Sequence, residues 1–118
     1  MLLLAACSSP SPEELASLAA KGYYDHLLAG EYALFLEGKN GADSLPDDYR
    51  EQLLTAYKQF MATQQKNHHG IREVRISNAK TDTLQKYTNV FLVLCFGDST
   101  NEEIVVPMVE QRGKWRMK

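Results

Sequence analysis

The chain has 118 residues and a net charge of −2, and its hydrophobic and charged fractions are 44% and 24%. These values are typical of a single globular domain, and a second domain does not fit into this length. The sequence contains no apolar run of about 18 residues that could span a bilayer and no cluster of Lys and Arg beside aromatic residues. It therefore favours neither a membrane-spanning protein nor a nucleic-acid-binding one.

The first residues form a short apolar run that ends in Leu4-Ala5-Ala6-Cys7. This run resembles the lipobox of bacterial lipoprotein precursors, in which a peptidase cuts before the cysteine and the thiol then carries a lipid. The resemblance implies a signal-peptide remnant at residues 1–6, lipidation of Cys7 and a tether at residues 7–12. Because a signal peptide needs a basic region and roughly 7 to 15 apolar residues, the start is expected to be truncated. The alternative is that Cys7 is an ordinary thiol.

If the cysteine is acylated, the lipid would anchor the chain in a membrane of the bacterial envelope. We expect the outer membrane, with the domain facing the periplasm or the cell surface. Cys95 would then be the only remaining thiol, so no intramolecular disulfide is expected.

Three helices are predicted in the first part of the domain, which comprises residues 13–118. Ser11-Pro12-Glu13-Glu14 has the spacing of a capping box, and Gly30 can end the helix that begins there. A short helix is expected over residues 31–37. The third and longest begins after Leu45-Pro46-Asp47 and runs to about Asn67, with an apolar and aromatic stripe on one side.

After Gly70 the apolar residues recur at about every second position instead of about every 3.6 residues, which predicts strands. We expect strands at residues 71–79, 87–96, 102–110 and 115–118, joined by hairpin turns. The fold class is therefore α+β, with three N-terminal helices packed on a curved four-stranded antiparallel sheet.

The order of these elements resembles the cystatin-like cone of the nuclear transport factor 2-like superfamily, and above all small envelope lipoproteins with domain of unknown function 4878. The similar segments are residues 29–32, 45–50, 96–98, 106–109 and 113–116. They are caps, turns and core positions, so the resemblance implies a fold and leaves the function open.

The two middle strands are apolar on both faces, whereas helices on one side of a sheet cover only one face. An uncovered apolar strip is typical of an interface. We predict self-association as a homodimer through Leu92, Leu94, Val105 and Val109. The alternative is that curvature of the sheet or the loops bury both faces.

A cone fold can also enclose a cavity between helices and sheet, and a small apolar ligand is the second hypothesis. The residues predicted to line this ligand pocket are Tyr24, His26, Tyr32, Phe35, Tyr57 and Phe60. An isomerase-like or dehydratase-like enzyme, implied only by the resemblance, is the third hypothesis. The simplest interpretation of these aromatic residues is that they fill the core.

We expect no catalytic residues, cofactor or metal. His68 and His69 are only two ligands, and His26 lies on another helix, whereas a closed metal site needs three or four. Cys95 lies within an apolar strand, where a thiol is inert. The sequence thus favours a non-enzymatic interaction domain.

Overall fold

The computed structural model describes residues 9–118, and both Cys7 and the predicted signal-peptide remnant lie outside them. The elements follow the predicted order of helices and then strands. The helices are α1 (Pro12–Leu28), α2 (Tyr32–Glu37) and α3 (Asp47–His68), with a 3₁₀ turn at Ala42–Ser44. The strands are β1 (Ile71–Asp82), β2 (Tyr87–Phe96), β3 (Asn101–Gln111) and β4 (Lys114–Met117).

The start of α1 confirms the predicted capping box. The Ser11 hydroxyl accepts a hydrogen bond from the Glu14 N–H at 3.1 Å, and the Glu14 carboxylate accepts one from the Ser11 N–H. Pro12 occupies a first-turn position, where its missing N–H costs no hydrogen bond. Helix α3 ends at His68, one residue beyond the predicted end near Asn67, and His69 then adopts the left-handed conformation with φ of 59°.

The four strands form one antiparallel sheet in the order β1-β2-β3-β4. Strand β1 carries two irregularities in its register with β2, one between Ile71 and Glu73 and one between Ile76 and Asn78. Such bulges, together with charged side chains, protect an edge strand from pairing with another chain. At the other edge, the Asn40 N–H donates to the Met117 carbonyl and the Met117 N–H donates to the Gly38 carbonyl, so residues 38–40 cover β4.

The core lies between α1 and one face of the sheet. Ala16 and Ala20 of α1 are fully buried against apolar side chains of all four strands. The small alanine side chains let the helix approach the sheet closely. The Tyr23 hydroxyl also donates a 2.6 Å hydrogen bond to the Trp115 carbonyl, which fixes α1 to β4. The core members on the strands are Val74, Val90, Leu92, Leu94, Phe96, Val106 and Met108.

The other two helices have less contact with the sheet than the sequence predicted. Helix α2 packs on α1, and α3 packs on α2 and on the beginning of β1. No residue of α3 is buried, although the helix has 22 residues. The predicted set of three helices and four antiparallel strands is confirmed. The sheet, however, is covered mainly by α1 and not by all three helices.

Candidate functional site

The outer face of the sheet, opposite α1, carries a strip of apolar side chains. Strand register places Phe91 beside Val105, and alternation along β3 brings Pro107 and Val109 to the same side. Val105 is 52% exposed, and its neighbours in the strip are half-buried. The outer strip is defined by Phe91, Val93, Val105, Pro107 and Val109.

The register corrects part of the predicted interface set. Leu92 and Leu94 point to the α1 side, where they are 0% and 3% exposed. Val105 and Val109 lie on the outer face as predicted. Neighbouring residues along a strand point to opposite faces of the sheet. Strand alternation could therefore have assigned Phe91 and Val93 to the outer strip, in place of Leu92 and Leu94.

Charged and polar groups border the outer strip. Arg75 of β1 pairs in register with Val93, and its Nε donates to the Glu73 carboxylate at 3.0 Å. The Ser77 hydroxyl donates to the Glu103 carboxylate at 3.2 Å across β2. An apolar centre with a polar border is the arrangement found in many protein interfaces.

Three of the six predicted pocket residues form a packed aromatic cluster between the helices. The Phe35 ring meets Tyr24 at 5.1 Å and Tyr57 at 4.9 Å between centroids, each nearly edge-to-face. Burial raises the pKa of the Tyr24 hydroxyl, and the neighbouring Tyr57 adds to this effect. Burial likewise raises the pKa of Tyr57. The rings fill the space they share, and tyrosines that remain protonated at neutral pH can act there as hydrogen-bond donors.

The other three predicted pocket residues lie apart from this cluster or at its margin. His26 Nδ1 lies 2.8 Å from Glu31 Oε1, in an exposed pair at the end of α1. Tyr32 is half-buried, and Phe60 is 40% exposed on α3. The structure therefore brings together Tyr24, Phe35 and Tyr57 and does not join all six residues around one cavity.

A separate groove of about 390 Å³ lies between α1, α2 and β4. His26 is the one predicted pocket residue that lines it, and Trp115 forms another part of its wall. Within the described residues, the buried Trp115 Nε1–H has no hydrogen-bond partner. The remaining lining residues are Leu15, Ala19, Tyr23, Leu34, Glu37, Lys114 and Arg116.

His68, which the sequence presents only as a candidate metal ligand, contacts the turn between β2 and β3. Its Nδ1 lies 2.9 Å from the Asp98 carboxylate, and its ring stacks on Phe96 at 4.2 Å. Hydrogen bonds from the Thr100 hydroxyl and N–H, followed by His68, lower the pKa of Asp98 to about 2. This contact joins the end of α3 to the turn between β2 and β3.

Residues 9–118 contain no group of three or more His, Cys, Asp or Glu side chains arranged to hold a metal ion. Cys95 is 3% exposed, which restricts access to its thiol. None of the helices described is both long and apolar enough to cross a bilayer.

No protein-family model and no curated protein matches this sequence. Among solved structures, the chain is similar to a Campylobacter jejuni protein provisionally described as an NTF2-like transpeptidase, with a TM-score of 0.66 and 13% sequence identity. The similarity covers 83% of this chain and 92% of that one. At this identity the comparison concerns the fold alone, and it agrees with the order of helices and strands seen here. The chain has an NTF2-like fold.

Proposed function

We propose that this chain is a lipid-anchored, non-enzymatic domain of the bacterial envelope that binds a second copy of itself through the outer strip. The observation that carries the proposal is the exposure of apolar side chains on two adjacent strands, opposite the face that α1 covers. Burial of such a surface against a second copy would remove apolar area from water, which is the main driving force of association.

The proposed location rests on the first part of the sequence. Leu4-Ala5-Ala6-Cys7 supports lipidation, and Ser8-Ser9-Pro10-Ser11-Pro12 supports an extended tether, since residues before proline avoid the helical region. Ser11 is the N-cap of α1 and Pro12 its first residue, so the last two residues of the predicted tether already belong to the start of the helix. The anchor would thus join the folded domain through a very short connection.

Analytical ultracentrifugation of the acyl-free chain tests the self-association. We expect a concentration-dependent dimer, and we expect V105D to shift it to monomer because an aspartate would be buried at the centre of the interface. L18D is the matched control, since Leu18 is 62% exposed on α1, away from the outer strip. A monomer at all concentrations, or equal loss of the dimer in both variants, would contradict the proposal.

Mass spectrometry of the protein isolated from bacterial membranes tests the anchor. We expect the mass of a diacylglycerol and of acyl chains on a chain that begins at Cys7, and we expect C7S to leave the membrane fraction. A thiol without lipid at Cys7 in the membrane-derived protein would contradict this part of the proposal.

The second candidate function is the binding of a small amphiphilic molecule in the groove beside Trp115. It is favoured by one observation: Trp115, whose buried indole N–H has no hydrogen-bond partner among the described residues, lines this groove together with apolar side chains and the cations Lys114 and Arg116. Native mass spectrometry of the purified chain would show a co-purifying molecule, and W115F would reduce its occupancy. If dodecanoate leaves the Trp115 fluorescence unchanged, and no molecule co-purifies, this alternative is wrong.

A further inference from the structure

The two outer hairpin turns lie at the same end of the sheet. Strand register pairs Thr88 with Met108 and Met108 with Met117, so the β1–β2 turn and the β3–β4 turn both project beyond this level. We call residues 83–86 and 112–114 together the hairpin end. The opposite end of the sheet carries the β2–β3 turn near Ser99.

The hairpin end also lies next to the start of α1. The Thr81 hydroxyl donates a hydrogen bond to the Glu13 carboxylate, which joins the first turn of the helix to the last residues of β1. Cys7 precedes Pro12 by five residues. Because an extended chain advances at most about 3.6 Å per residue, the proposed lipid anchor lies within roughly 18 Å of the start of α1.

The hairpin end exposes an apolar side chain, Leu84, that does not belong to the buried core. Leu84 is 92% exposed, more than any other large hydrophobic residue in the described part of the chain. The turn that carries it is well fixed, because the N–H groups of Leu84 and Gln85 each donate to the Asp82 carboxylate at 3.0 Å. Leucine at such a position favours insertion into the interfacial region of a bilayer.

The charge of the hairpin end complements an anionic surface. Residues 83–86 and 112–114 contain three cations, Lys86, Arg112 and Lys114, and no acid. None of the ion pairs between the described residues involves these three cations. Nearby acids are Asp82, which accepts the turn hydrogen bonds, and Glu13, which accepts from Thr81. Asp43 lines a groove with Arg112 and Lys114, and Glu37 lines another with Lys114, so both acids offset part of the positive charge. Glu14 and Glu110 are exposed near this end.

We propose that the hairpin end binds the surface of an anionic membrane, with Leu84 entering the interfacial region and Lys86, Arg112 and Lys114 contacting lipid headgroups. This proposal rests on the proposed lipid anchor at Cys7, which would hold the hairpin end near the membrane. The strands would then extend from the membrane surface outward, and the domain would have one fixed orientation relative to the membrane.

Fluorescence on vesicles tests the orientation. The full chain is coupled through Cys7 to a maleimide lipid in vesicles of phosphatidylcholine and phosphatidylserine, a reaction that the burial of Cys95 makes selective. L84W is compared with N101W, which lies at the opposite end of the sheet, and both variants retain Trp115. We expect brominated acyl chains to quench L84W and not N101W. Equal quenching of both variants, or none of L84W, would overturn the proposal.

Substitution of the cations tests the electrostatic part. We expect K86Q, R112Q and K114Q each to lower the partition of the acyl-free chain onto phosphatidylserine vesicles by about fivefold, which corresponds to about 1 kcal/mol per cation. K58Q, at an exposed position of α3, is the matched control. If K58Q lowered the partition as much as these variants do, the three cations would have no specific contribution. The same would follow if the unsubstituted chain partitioned equally onto vesicles of phosphatidylcholine alone.

The vesicle experiment imposes the anchor chemically, so its result does not depend on lipidation of Cys7 in bacteria. Absence of lipid on the native protein would refute the proposed anchor and leave the quenching result intact. Absence of quenching would refute the membrane contact of Leu84 and leave the native anchor intact.

Discussion

Asp98 is the residue whose protonation should most affect stability at low pH. Its pKa is about 2 in the folded chain, against 3.8 in its ordinary state, because Thr100 and His68 hold the carboxylate in its charged form. A lowered folded-state pKa adds stability that is present above about pH 3.8 and is lost as the pH falls through about 2. We expect D98N to be less stable than the wild type at neutral pH.

Urea unfolding measured between pH 2 and pH 7 checks this expectation. The difference between D98N and the wild type should shrink as the pH falls from about 4 to about 2, because the wild-type carboxylate becomes neutral in that range. E102Q, at an exposed position near the same turn, is the control. A difference that stays constant over the whole range would show that the charge of Asp98 does not stabilise the fold.

Two glycines should respond oppositely to substitution by alanine. A Cβ at Gly97 would meet the carbonyl oxygen of His69, where the backbones of two turns meet, so we expect G97A to destabilise the fold by about 1–3 kcal/mol. A Cβ at Gly22 in α1 would meet nothing within 4 Å, so we expect G22A to stabilise it by about 0.5–1 kcal/mol. Thermal unfolding of both variants provides the measurement. A G97A variant as stable as the wild type would contradict the close contact at Gly97.

Among the elements, α3 is the one least supported by tertiary packing. None of its residues is buried, whereas β2 contributes Val90, Leu92, Leu94 and Phe96 to the core. Protection against hydrogen exchange follows local packing, so we expect amides of α3 to exchange at least about tenfold faster than those of β2. Y57A, which removes the contact with Phe35, should accelerate exchange in α3 further, and the exposed Q59A should not. Equal protection of α3 and β2 would contradict this expectation.

Local patterns were sufficient to predict the elements but not their packing. The capping box at Ser11 and the change of period after Gly70 placed the helices and strands close to their observed bounds, because caps and apolar periodicity act within a few residues. The position of α3 and the separation of His26 from Tyr57 depend on contacts between distant segments. Strand alternation could have shown that Leu92 and Val105 lie on opposite faces of the sheet. The predicted interface nevertheless combined residues from both faces.

For the whole molecule, the two proposed contacts are geometrically compatible. If the hairpin end faces the membrane, the outer strip lies on the side of the domain and remains available to a neighbour. A dimer that pairs the same strip on both copies has a two-fold axis. With this axis perpendicular to the membrane, both copies keep Leu84 and their tethers on the same side. An axis parallel to the membrane would move one anchor away from it.

Attachment to a membrane should therefore strengthen self-association. Confinement to one surface, in one orientation, raises the effective concentration of each copy for the other and removes part of the orientational cost of binding. We expect photo-cross-linking through benzoylphenylalanine in place of Val105, which leaves Cys7 as the coupling thiol, to occur on vesicles at a total protein concentration at least about tenfold lower than in solution. A lipid-linked chain carrying both L84D and K86E should lose part of this gain, because it remains attached but less oriented. Equal cross-linking on vesicles and in solution would show that the anchored copies do not present the outer strip to each other.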